Sequence, residues 1–153
     1  VPEVAAVLDT SGPYIDVWKL GWGTAYLDPG LAAKLALLAQ HDVLACPGGT
    51  LLEIAWHQGV AYRFLDWAHG VGFPCVEVST GVVTRTDDEV AELVRRAAER
   101  FVVLREVGLK DPSRPVSPQD WARQAAHAVE SGARWVVTEG RESGTVGLYD
   151  PDG

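Results

Sequence analysis

One pattern constrains the fold of this chain more than any other feature. A short, β-branched apolar run closing near a glycine, then a capped amphipathic helix, recurs along its length. The runs are Tyr14–Gly21, Asp42–Gly48, Cys75–Gly81, Val102–Gly108 and Arg134–Gly140, and they begin 28, 33, 27 and 32 residues apart. A strand, a crossover helix and the approach to the next parallel strand take about 30 residues. Strands alternating with helices at that period predict a parallel α/β sheet.

The helices between the runs carry their own boundary signals. Asp28 before Pro29 reads as N-cap and first helical residue, leading into Leu31, Leu35 and Leu38 on one face. Thr86 and Glu89 form a capping box ahead of Val90, Leu93, Val94, Ala97 and Phe101 at helical spacing. Ser117 and Pro118 open another helix through Trp121, Ala125, Ala128 and Val129, with Gly132 as its stop. Two helices divided at Gly59 are expected between Thr50 and Gly72, and Pro2 to Thr10 reads as a helix whose preceding strand is missing. A (β/α)₈ TIM-type barrel takes about 250 residues. The chain is therefore expected to be one domain, residues 1–153, forming an internal portion of such a barrel from strand two to strand six. An open doubly wound sheet is the competing architecture. No G-x-G-x-x-G follows any of the runs, which argues against its dinucleotide-binding version.

Composition narrows the function classes. No apolar stretch approaches the roughly 20 residues that cross a bilayer, and no signal-peptide pattern opens the chain, so the expected location is the cytoplasm. The net charge of −8 argues against nucleic acid or an anionic membrane as partner. It also means that an anionic substrate needs a local cluster of cations or a metal. Cys46 and Cys75 lie in apolar strand-like stretches and are expected as buried, reduced thiols, since a lone pair at this spacing is no metal motif.

Ionisable residues inside buried parallel strands need a reason. Here they recur near one end of the runs: Lys19 before Gly21, Glu77 before Gly81, Glu106 before Gly108 and Glu139 before Gly140, with Lys110, Arg141 and Glu142 directly after. In barrel enzymes the carboxyl ends of several strands converge on one active site. Each charge also has a structural alternative, an ion pair such as Lys19 with Glu77. Glu53 has a local one, because Thr50-Leu51-Leu52-Glu53 spells a capping box. His57 and His127 are expected as structural residues on helices, the tryptophans as packing residues, and Trp22 as the one pocket wall.

In order, the strand ends read K-L-G-W-G-T (Lys19 to Thr24), P-G-G-T-L-L-E (Pro47 to Glu53), V-E-V-S-T-G (Val76 to Gly81), E-V-G-L-K-D (Glu106 to Asp111) and E-G-R-E-S-G (Glu139 to Gly144). This series resembles the phosphosulfolactate synthase family over nearly the whole chain. The resemblance implies a (β/α)₈ barrel and a magnesium-dependent carbon–sulfur lyase. Its reaction adds sulfite to phosphoenolpyruvate, giving (2R)-phospho-3-sulfolactate at the start of one route to coenzyme M. Small anionic substrates, no nucleic acid, no membrane and assembly as a homo-oligomer are the partners expected. The resemblance depart at two positions: Thr80 stands where the family usually carries an acidic or amide residue, and Leu109 where many relatives carry a polar one.

On that resemblance the residues take expected roles. Glu77, Glu106 and Glu139 lie on or near Mg2+, which prefers oxygen ligands. Lys110 is the general acid. Lys19 and Arg141 hold sulfite, carboxylate or phosphate, and the backbone amides around Gly48, Gly49 and Thr50 at a helix N-terminus hold another anionic oxygen. Two other readings stay open: a related metal-dependent enzyme using a different nucleophile or phosphorylated three-carbon acid, and a non-catalytic stress-protective homologue.

Overall fold

A computed structural model of the chain describes residues 1–81, 83–108 and 116–138. The elements run α1 (Pro2–Ser11), β1 (Val17–Lys19), α2 (Thr24–Leu27), α3 (Leu31–Gln40), β2 (Leu44–Cys46), α4 (Gly49–His57), α5 (Ala61–Val71), β3 (Cys75–Val78), α6 (Asp87–Ala98), β4 (Val102–Val107), α7 (Pro118–Glu130) and β5 (Trp135–Thr138). Each predicted run holds one strand, and the ladders among the described residues are all parallel.

Strand β1 pairs with β2, placing Lys19 beside Cys46. Strand β4 pairs with β3 on one side and β5 on the other, so that Glu77, Leu104 and Trp135 share one level. Strand β2 packs against β3, and the spatial order is the order in sequence.

Side chains alternate across a strand, and the two faces here are covered differently. On one face Trp18, Ala45, Val76, Val78, Val103 and Val136 pack with Leu38, Leu52, Leu65, Leu93, Val94 and Ala128 of the helices. On the other, Cys46, Cys75 and Leu104 cluster with Val17, Leu44, Val102 and Val137, all of them strand residues. A doubly wound sheet carries helices on both faces. Helices on one face, and a strand-only cluster on the other running across the β2–β3 seam, are the outer and inner surfaces of a barrel wall. Both cysteines are free and buried, as expected.

Local signals explain most helix boundaries. Thr86 and Glu89 close a complete capping box on α6, and the Ser117 side chain accepts from the Asp120 amide at the start of α7. Gly59, at φ +73°, lets the chain reverse between α4 and α5. One expected start is displaced: α3 begins at Leu31 with Gly30 as its N-cap. Asp28 instead accepts from the Gly30 amide at 2.8 Å and pairs with Lys34 at 2.6 Å, a turn that the short side chain closes before the helix begins. No described helix is long and apolar enough to cross a membrane.

Candidate active site

The inner face becomes polar where the strands end. Lys19 is the last residue of β1. Strand alternation puts it with Cys46 on the inner surface, and puts Glu77 and Glu106 there two residues beyond Cys75 and Leu104. Three of the charges expected to converge therefore do so. Glu77 is 3% exposed and its Oε2 lies 2.5 Å from Lys19 Nζ. The pairing offered by the sequence as a structural alternative thus exists, and it sits inside the expected site.

Burial alone would pull the Lys19 ammonium down. The hydrogen bond and charge of Glu77, with a smaller contribution from Glu106, outweigh it and raise Lys19 above the ordinary lysine value. Lys19 is a fixed cation at neutral pH and a poor proton donor. Deeper in the wall, a hydrogen bond with Cys75 followed by burial raises the Cys46 thiol well above its ordinary value, leaving it protonated.

The other Glu77 oxygen, Oε1, accepts the Gly49 amide at 3.0 Å. Gly49 opens α4, and a helix N-terminus favours an anion. The amide expected for an external anion is thus taken by the protein's own carboxylate, while Thr50 is the next residue of the same turn. The glycine is required by space: a Cβ at Gly49 would stand 2.5 Å from Ser79 Oγ and 2.8 Å from Glu77 Oε1.

Glu53 corrects the sequence reading. Helix α4 has Gly48 as N-cap and no side-chain cap, so the Thr50–Glu53 capping box does not form. Glu53 faces inward, 1% exposed, and accepts from Ser79 Oγ at 3.0 Å and from the Val83 amide at 2.9 Å. Gly49, Leu52, Glu53 and Ala55 are the buried residues of α4. A glutamate on that stripe was the signal for its burial.

Arg105 was also missed. It is 5% exposed and points to the opposite face of β4 from Glu106. Its Nη1 donates to the carbonyls of Val78, at 3.2 Å, and of Glu106, while Nη2 donates to Thr80 Oγ1 at 3.0 Å. Burial pulls its guanidinium down to about 10, with nearby carboxylates, Glu106 first, opposing that pull, so it stays charged at neutral pH. Thr80 is therefore held by Arg105. Trp22, expected as a pocket wall, is 91% exposed.

Lys110, Glu139 and Arg141 lie outside the described residues. Among the described residues no group of three or more His, Cys, Asp and Glu side chains gathers to hold a metal. Magnesium, however, is usually held by one or two carboxylates with several waters. Glu77 and Glu106 are oxygen donors on one face of adjacent strands; with the Gly49 amide and Lys19 on its two oxygens, Glu77 would reach such an ion through water.

Comparison with known proteins adds to this geometry. A family model described as (2R)-phospho-3-sulfolactate synthase (ComA) matches residues 1–153. A phosphosulfolactate synthase of Bacillus subtilis is 36% identical over 142 residues, covering 92% of this chain and 56% of that protein. One of Methanothermobacter thermautotrophicus is 37% identical over 153 residues, covering 96% and 59% respectively. One of Methanocaldococcus jannaschii is 36% identical over 152 residues, covering 95% and 61%. The chain thus spans 56% to 61% of the length of these relatives. A crystal structure of 3-hexulose-6-phosphate synthase superposes on 87% of this chain and 58% of its own with a TM-score of 0.48 and 20% identity.

Proposed function

The chain belongs to the (2R)-phospho-3-sulfolactate synthase family, and from that premise we propose that the full-length protein adds sulfite to phosphoenolpyruvate. The observation that carries the proposal is the convergence of Lys19, Glu77 and Glu106 on the inner face at the strand ends. Sulfite attacks the methylene carbon, a carbon–sulfur bond forms, and the π electrons move onto carbon two and its carboxylate. A proton delivered to carbon two completes (2R)-phospho-3-sulfolactate.

Two anions must meet before any of this occurs, so fixed cations are the first requirement. Lys19, held protonated by Glu77, suits that task, and Arg141 would serve it with a bidentate fork. The raised Lys19 is a poor match for the proton donor, which calls for a lysine lowered towards neutrality. Lys110, directly after β4, is the residue proposed for it. Glu106 and Glu77, with Glu139, would hold Mg2+, whose positive charge stabilises negative charge developing on the substrate carboxylate.

The test is product formation from sulfite and phosphoenolpyruvate by the full-length protein with magnesium present. Lys110→Ala is expected to lower the rate by about 10²-fold or more. Turnover at the parent rate in that variant would remove Lys110 from the acid role, and absence of sulfite-dependent product from the parent would overturn the proposed reaction.

A further inference from the structure

Glu53 and Arg105 take no part in the chemistry proposed above, yet both are buried charges, a costly arrangement unless their hydrogen bonds hold something in place. They approach the connection between β3 and α6 from opposite sides, Glu53 from α4 and Arg105 from β4. Along that connection their contacts alternate. Arg105 takes the Val78 carbonyl, Glu53 the Ser79 hydroxyl, Arg105 the Thr80 hydroxyl and Glu53 the Val83 amide. Arg85, further on, donates to the Trp56 carbonyl of α4 at 3.2 Å and lies 4.9 Å over its ring.

The gripped segment touches the site. Ser79 packs against Gly49, whose amide holds Glu77, so closely that no methyl group fits between them. A shift of Ser79 would therefore be felt at Gly49 and Glu77. We infer that Glu53 and Arg105 are positioning residues, gripping the β3–α6 connection from two sides and thereby fixing Ser79, Gly49 and Glu77 at the mouth of the inner face. The predicted effect on turnover rests on the sulfite-addition reading; the grip itself does not.

Two conservative variants of the full-length protein test it. Glu53→Gln keeps the shape but turns one acceptor oxygen into a donor and removes the charge that strengthens the bonds to Ser79 and Val83. Arg105→Lys keeps the charge but has no planar fork to span Val78 and Thr80. Amide hydrogen exchange is expected to quicken about tenfold at Val83 in Glu53→Gln, as the bond from that amide weakens, and at Thr80 in Arg105→Lys, as the connection loosens around its released side chain. Exchange at Val94 of α6 should quicken less than at either anchor. In an active parent, kcat should fall by about tenfold in both variants with KM for phosphoenolpyruvate near the parent value, a split that a purely structural role would not produce.

Unchanged exchange at both anchors overturns the grip, as does acceleration spread equally to Val94. Faster local exchange with unaltered kcat and KM in an active parent overturns the positioning role. A parent without sulfite-dependent turnover overturns the reaction instead, and exchange at Val83 and Thr80 still decides the grip.

Discussion

The two faces of the same strands solve different problems. The outer face meets helices through Val76, Val78, Val103 and Val136 in the larger core. The inner face has a smaller cluster around Cys46, Cys75 and Leu104, and then charges. Because neighbouring residues of a strand point opposite ways, the sequence can hold the fold with one set of positions and present chemistry with the other. Val78 and Glu77 are adjacent in the chain and serve different ends. The exception is Arg105, a charge that points outward and is buried there by its bonds to the β3–α6 connection.

The sharpest way to break this comparison is to damage the outer face alone. Leu93, 2% exposed on α6, lies in the helix-facing core, and Leu93→Ala should cost about 2–5 kcal/mol in denaturant unfolding. The folded fraction should keep the parent KM for phosphoenolpyruvate. A large rise in that KM would mean that the two faces are not separable.

The complementary change is Lys19→Met on the inner face. Stability should fall by about 1–3 kcal/mol, because Glu77, 3% exposed, loses the cation beside its Oε2. Turnover by the full-length protein should fall by about 10²-fold. A protein that loses stability but not turnover would show the Lys19–Glu77 pair to be structural only.

Gly49→Ala tests the seam between the faces. Its Cβ must displace Ser79 or Glu77, an overpacking expected to cost about 1–3 kcal/mol. If its unfolding midpoint equals that of the parent, the close approach of α4 to β3 is wrong.

The smallest effect concerns pH. The Lys19 pKa is raised in the folded state, so its contribution is fully present below the ordinary lysine value of about 10.4 and is lost as pH rises through the folded value above it. The stability difference between parent and Lys19→Met should therefore be flat from about pH 7 to about pH 9 and shrink only in more alkaline solution. A difference that fades between those two pH values would show that the lysine is not raised.

Much of the architecture was legible because its causes are local. Thr86 with Glu89 and Ser117 with Asp120 make their contacts within one helical turn, and such patterns read directly from the chain. The strand runs were recognisable from apolar content and period, and the convergence of Lys19, Glu77 and Glu106 followed from their common position near the strand ends. Glu53 shows where local reading fails. The same four letters, Thr50 to Glu53, describe either a cap or a buried helical stripe, and the cap was ruled out only by where α4 begins. Arg105 was hidden by its neighbour: Glu106 accounted for a charge in the strand, and nothing nearby indicated that the preceding charge also needed an account.

What the sequence determined by itself was the order of strands and helices, their parallel pairing through crossovers and the residues that alternate between faces, since these follow from backbone geometry over a few residues. What only the tertiary structure decided was the partner of each charge. Glu77 meets the ammonium of Lys19 and the amide of Gly49, 28 residues earlier in the chain, while Glu53 meets Ser79, 26 residues later. A carboxylate takes whichever donors the folded chain brings within about 3 Å, and that proximity is set by the packing of α4 against β3, which no run of adjacent letters records.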